Sequence, residues 1–252
     1  MKQLQNVLLL MLFAASLIAQ ERSYPSYQLN GNFQVGIPLG DFRDNLDEIG
    51  FGGGLQFLMH LGDSPLAMGA DLSILAYATE RARFSARVGG FTRDYELRTT
   101  SHIFLGHAMA RFQPRLNGPI HPYIDGMLGF KNLFTSTSLT DRSLGETLES
   151  DTDQSDWALS YGGAFGIQIS FGAEKNVVLD LRCAYLPGQN ATYLVRREEP
   201  FGGFEYDDPI EAFEERTSLT NLLLPQIGVT FRGIFNKHRS KDTQPNSIYD
   251  YR

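Results

Sequence analysis

Apolar and polar residues alternate along most of this chain, in segments joined by connections that are short and long in turn. In the clearest segment Trp157, Leu159, Tyr161, Gly163, Phe165, Ile167, Ile169 and Phe171 share one parity. Ala158, Ser160, Gly162, Ala164, Gly166, Gln168 and Ser170 share the other. A period of two is the period of a strand, whose successive side chains point to opposite faces. An apolar face with aromatics at both ends, over a small and polar face, predicts a strand of a membrane barrel with lipid outside.

Eight such strands can be placed. The first, about 27–37, sets Leu29, Phe33, Val35 and Ile37 outward and Gln28, Asn30, Asn32 and Gln34 inward. The second, about 51–61, carries Phe51, Leu55, Phe57 and Met59 outward over Gly52, Gly54, Gln56 and His60. The third, from about 66, alternates Met68, Ala70, Leu72 and Ile74 with Gly69, Asp71 and Ser73. The fourth ends near Phe112 and has the weakest alternation, with Leu105, His107, Met109 and Arg111 inward. The fifth, about 123–134, turns Asp125, Met127 and Lys131 inward. The sixth is the 157–171 segment, and the seventh alternates Val177 to Tyr185 with Asp180 and Arg182. The eighth, about 217–231, places Gln226, Gly228 and Thr230 inward, with Pro225 interrupting its ladder.

The connections near 62–65, 113–119 and 172–176 are short, and those near 38–49, 79–93, 135–155 and 187–215 are long. That asymmetry, with an even strand count, predicts an all-β, eight-stranded antiparallel up-and-down transmembrane barrel with turns and termini periplasmic. A ten- or twelve-stranded barrel is the variant if the long loops hide further strands. A soluble lipocalin-like barrel would turn its apolar face inward around a ligand. Here the inward face is polar, so lipid belongs outside.

The domain reading is a signal peptide at 1–19, a barrel at 24–235 and a polar, flexible periplasmic tail at 236–252. Met1 and Lys2 open a basic start, Val7 to Ala19 form an apolar run, and small residues precede Gln20. The run is about 13 residues, short of the roughly 20 that a membrane helix needs. A mean hydropathy of −0.22 offers no helical span after it. The net charge of −7 argues against a nucleic-acid partner. One cysteine, Cys183, excludes an internal disulfide and a multi-cysteine metal centre. No cofactor is expected.

Three patches resemble the small eight-stranded outer-membrane β-barrels, similar to the OmpA membrane domain, OmpX and OmpW. They are Pro38-Leu39-Gly40-Asp41-Phe42 followed by Gly50–Gly54, Arg111-Phe112-Gln113-Pro114 followed by Pro122–Gly126, and Leu224–Phe235. The resemblance implies an outer-membrane location, contact with membrane lipid and lipopolysaccharide, and a last strand read by the barrel insertion machinery. The tail from Asn236 to Arg252 departs from relatives that stop at a terminal aromatic.

An eight-stranded barrel is just wide enough for its own side chains to fill it. Asp71, Arg111, Asp125, Lys131, Asp180 and Arg182, with His60 and His107, are therefore expected to form a buried network of ion pairs and hydrogen bonds. Asp180 in particular should meet Lys131 or Arg111. An ion or proton path is the competing use of these groups. A lipid A deacylase or acyltransferase would need a histidine beside a serine at the outer rim. His238 and Ser240 fall in the tail, and Ser101 and His102, as strand neighbours, face opposite ways. The Gly50–Gly54 cluster lacks the Lys-Ser/Thr of a phosphate loop and suits close strand approach instead.

In the second long loop alternation continues through Arg83–Arg87 and Thr92–Leu97 around Gly89-Gly90, which predicts a hairpin projecting above the membrane, and its Arg81, Arg83, Arg87, Arg93 and Arg98 are able to meet lipopolysaccharide phosphate. Loop four (Glu198, Glu199, Glu205, Asp207, Asp208, Glu211, Glu214, Glu215) and loop three (Glu146, Glu149, Asp151, Asp153) are acidic without EF-hand spacing. Solvated surface is the plain reading of both. The function expected is a non-enzymatic outer-membrane barrel for envelope integrity or for ligand or partner contact. The alternative is a transport component, an OmpW-like narrow conduit for small apolar molecules or an accessory of a secretion system.

Overall fold

A computed structural model describes residues 26–46, 48–62, 64–88, 91–114, 116, 118–141, 146–171, 176–196 and 213–234. The expected signal peptide, the tail with His238 and Ser240, and the acidic residues from Glu198 to Glu211 lie outside them. Eight strands close a ring: β1 (Tyr27–Pro38), β2 (Gly50–His60), β3 (Leu66–Val88), β4 (Phe91–Phe112), β5 (Ile120–Asp141), β6 (Glu146–Ser170), β7 (Val177–Leu186) and β10 (Leu222–Ile234). Every neighbouring pair is antiparallel, and β10 returns to β1. A helix, α1 (Asp41–Asn45), lies between β1 and β2. Between β7 and β10 sits a separate hairpin, β8 (Asn190–Arg196) with β9 (Phe213–Leu219).

The alternation sorts the side chains as the sequence implies. Phe33, Leu55, Leu72, Leu128 and Ile227 stand exposed on the outer wall, while Gln34, Gln56, Asp71, Asp125 and Gln168 are buried inside it. On β5 the outward apolar run from Ile120 to Phe130 covers about 33 Å of strand, or roughly 25 Å of barrel height at a usual tilt of about 40°. That matches the apolar band of a membrane barrel. Aromatics mark both limits, Phe57, Phe112, Phe171 and Phe231 toward the turns and Phe51, Phe104, Phe130 and Trp157 toward the loops. Phe130 touches both Phe104 and Trp157, at ring separations of 6.1 and 5.1 Å.

Three expectations change. Residues 79–88 and 91–93 belong to β3 and β4, in keeping with the projecting hairpin read from their alternation, whereas 135–141 and 146–155, expected as loop, are strand: β3 to β6 run 22 to 25 residues, about twice the length of β1, β2, β7 and β10. They stand above the apolar band as a four-stranded sheet, held together by β4–β5 pairing out to Tyr95 opposite Asp141. Outside lipid neither face need be apolar, so strands such as Thr135–Thr140 show no hydrophobic alternation and read as loops. The segment 187–215 contains β8 and part of β9. Residues 217–219, assigned to the eighth strand, belong to β9 and not to the barrel. The interruption at Pro225 is real toward β1, where pairing is absent opposite Pro225 and Leu224 while the register is unchanged on either side.

Candidate functional site

The barrel interior is filled in layers. Arg111 on β4 and Asp125 on β5 are direct register partners, so both side chains enter the lumen at one height. Arg111 donates from Nε to Asp125 Oδ1 at 2.7 Å and from Nη2 to Oδ2 at 3.0 Å, a bidentate fork. Arg182 crosses from β7 and donates from Nε to Asp125 Oδ2 at 2.9 Å and from Nη1 to Asp71 Oδ2 at 2.8 Å. Two arginines and two aspartates thus form one neutral, buried chain, the arrangement that buried charge requires. Gln226 Oε1 also accepts from Arg182 Nη1 at 2.8 Å, which ties the chain to β10.

Tyr123 links this chain to Asp180. The Arg111 guanidinium lies 3.5 Å from the centroid of the Tyr123 ring, and the Tyr123 hydroxyl donates to Asp180 Oδ1 at 2.5 Å. Gly166 leaves the room that this ring occupies, since a Cβ there would overlap it. Asp180 Oδ2 accepts from Gln168 Nε2 at 2.9 Å and from the Thr230 hydroxyl at 3.0 Å. Among the described residues no cation lies within ion-pair distance of Asp180, contrary to the expectation that Lys131 or Arg111 would meet it. Three neutral donors satisfy the carboxylate instead.

Lys131 stands apart from the network as well. Its Nζ donates to the Leu186 carbonyl at 2.6 Å and to the Thr220 carbonyl, with no carboxylate among the described residues in reach. Those carbonyls sit where the chain leaves β7 and where it enters β10, so Lys131 clamps both stems of the β8–β9 hairpin. The layer around it is apolar, with Leu75, Ile103, Leu105, Leu133, Leu186 and Leu222 nearly inaccessible. The lumen is therefore not polar throughout. Its loop-side third is an ordinary hydrophobic core.

The hairpin and α1 close this end. Phe42 of α1 packs edge-on against Tyr193 of β8, with 5.0 Å between ring centres and both rings buried. The Tyr77 hydroxyl donates to the Leu194 carbonyl at 3.2 Å, and the Thr192 N–H to Asp156 Oδ2 at 2.8 Å. Tyr193 and Ser218 share a hydroxyl hydrogen bond of 2.7 Å, and burial raises the Tyr193 phenol above its ordinary pKa, so it stays neutral.

No catalytic arrangement emerges among the described residues. Ser101 faces inward and bonds Thr135, whereas His102 faces outward and stacks on Phe134, as their adjacency in a strand implies. A pair the sequence reading did not join, His107 Nε2 with Ser160 Oγ at 2.8 Å, lies buried in the lumen, and no carboxylate among the described residues is hydrogen-bonded to the imidazole. No cluster of three or more metal-ligating side chains occurs among the described residues. The glycine cluster is structural: a Cβ on Gly52 would run into the Ile74 carbonyl of the neighbouring strand.

On the projecting sheet, Arg81 lies opposite Arg98 and Arg83 opposite Glu96. Arg81 reaches Glu96 only at 4.0 Å, with its guanidinium half exposed. Arg87 has the strand parity of Arg81 and Arg83, whereas Arg93 is opposite Ala86 and has the other parity, so the four do not share one face by register. Of the acidic residues in the expected loops, Asp153 is exposed and accepts from the Thr137 hydroxyl at 2.7 Å.

No known family profile matches the chain, and no curated protein sequence matches it. Solved structures do. Neisserial surface protein A is 13% identical, with a TM-score of 0.37 over 86% of this chain and 100% of that one. The attachment invasion locus protein of Yersinia pestis, in complex with the heparin analogue sucrose octasulfate, is 19% identical, with a TM-score of 0.35 over 84% and 99%. A major outer membrane protein from Thermus thermophilus is 11% identical, with a TM-score of 0.33 over 83% and 99%. At such values these are likenesses only, and the barrel assignment rests on the strand pairing above.

Proposed function

We propose that this chain is a closed, non-enzymatic barrel of the outer membrane of a diderm bacterium. Its turns and the start of β1 and end of β10 face the periplasm, and its tall sheet stands outside the cell. The observation that carries this reading is the filled lumen. The Arg111–Asp125–Arg182–Asp71 chain occupies the middle, and the α1 and β8–β9 cover occupies the loop end. Paired charges and packed apolar side chains among the described residues fill the lumen, so the part presented for function is the sheet of β3 to β6. That sheet suits envelope integrity or contact with a ligand or partner.

Within it, Arg81 and Arg98 are exposed and offer guanidinium groups for lipopolysaccharide phosphate, with Arg83, Arg87 and Arg93 further along the same hairpin. Membrane lipid on the apolar belt and the insertion machinery during assembly are the other partners of this reading. Planar-bilayer recording of the purified full chain tests it. Silence is expected, whereas steady single-channel steps would overturn closure and restore the transport reading.

A further inference from the structure

The turn-side mouth of the barrel holds a cavity of about 290 Å³ that the lumen network does not fill. Its polar lining includes Gln28, His60, Gln113, His121 and Arg232 with the hydroxyls of Ser26 and Ser64, and Leu116 and Pro114 border it. Among the described lining residues there is no carboxylate. Asp180, which Gln168 links to Arg232, is saturated by Tyr123, Gln168 and Thr230.

The amide acceptors beside Arg232 are already engaged. Gln168 Oε1 already accepts twice, from Arg232 Nη2 at 2.5 Å and from Gln113 Nε2 at 3.1 Å. Gln28 spends its amide on His60 at 2.7 Å and its oxygen on Gln168 Nε2 at 3.5 Å. Arg232 Nε is buried and has no hydrogen-bond partner. A guanidinium N–H removed from water without an acceptor is destabilising, and the group that answers it is one that only accepts and carries negative charge.

We propose that this mouth binds a small oxyanion, a carboxylate or phosphate group, with Arg232 as its charged contact and Gln113 beside it. The groups that can present such an oxyanion from that side are a phosphorylated headgroup or a peptide or sugar carboxylate. The cavity admits one such group rather than a large ligand.

The test uses the full chain folded in a non-ionic detergent. Inorganic phosphate and acetate are titrated separately while the arginine Nε–H and glutamine side-chain signals are followed by NMR. A saturable shift centred on Arg232 and Gln113 is expected. Response to phosphate alone assigns a phosphorylated ligand, response to acetate alone a carboxylate, and response to both the shared class. Arg232→Gln should weaken binding by about tenfold, and Arg98→Gln, on the opposite end of the barrel, should leave it unchanged. No saturable shift with either ion, shifts centred elsewhere, or equal affinity in Arg232→Gln overturns the site. If Arg232→Gln does not fold, as judged by heat-modifiable migration, the wild-type shift map alone decides.

Discussion

At the scale of residues, the lumen ranks its own charges. Asp125 serves two arginines at once, Asp180 accepts only from neutral donors, and Asp153 sits on an exposed strand with one hydroxyl partner. Removing one member of a buried pair typically costs roughly 3–5 kcal/mol because the remaining charge is stranded. Asp125→Ala strands the Arg111 guanidinium and leaves Arg182 with Asp71 as its one carboxylate, and it should fall at the top of that range. Asp180→Ala leaves two hydroxyls and an amide short of an acceptor and should cost about 1–3 kcal/mol. Asp153→Ala should change stability by no more than about 0.5 kcal/mol. Reversible urea unfolding in lipid vesicles measures all three. If Asp125→Ala and Asp180→Ala shift the midpoint equally, the two-arginine chain is not what holds the lumen.

Lys131 gives the second residue-scale outcome. Lys131→Met fills the same space but leaves the Leu186 and Thr220 carbonyls without their ammonium donor. Amide exchange in β8 and β9 should quicken while exchange in β1 to β7 and β10 stays slow. Uniform quickening across the barrel would mean that Lys131 supports the wall rather than the hairpin.

At the scale of elements, the wall depends on where strands must approach closely. A Cβ on Gly52 would overlap the Ile74 carbonyl, whereas one on Gly126 meets nothing within 4 Å. Gly52→Ala should therefore destabilise by about 1–3 kcal/mol, the usual cost of overpacking. Gly126→Ala, on the lipid face, should be neutral or gain about 0.5 kcal/mol from reduced chain freedom. The pair is compared by the fraction folded on unboiled gels across a urea series. Equal effects would show that β2 and β3 do not pair in this register. The Trp157–Phe171 segment was legible for the same reason that this comparison is sharp: lipid imposes a strict outward parity. Above Trp157 that demand ends, and the upper parts of β5 and β6 look like loop although they are paired strand.

At the scale of the whole molecule, the outer belt makes a prediction about Cys183. It is exposed on β7, between Leu181 and Tyr185 on the outward parity, and has no other cysteine to pair with. In a protein folded into vesicles it should react with a membrane-soluble maleimide and resist a charged, water-soluble one. Equal labelling by both would place that wall in water and sink the membrane reading. The same belt explains why hydropathy gives no sign of the membrane: with only alternate residues facing lipid, the apolar and polar faces average out.

Period two and inward charge were enough, from the sequence, to give the eight barrel strands, their facing and the inward placement of Asp71, Arg111, Asp125 and Arg182. They are local properties, set by which face of a strand each residue takes. The partners were not legible, because a lumen contact joins strands far apart in sequence and depends on the relative height of each strand. Tyr123 shares the inward parity of Asp125, yet nothing local says that it bridges Arg111 to Asp180. Only the tertiary structure gave Lys131 backbone carbonyls in place of a carboxylate, folded 190–219 into a cover over an apolar layer, and left Arg232 at the turn-side mouth with an N–H unanswered. Strand stagger and chain closure determine these contacts, and neither is written in any single segment.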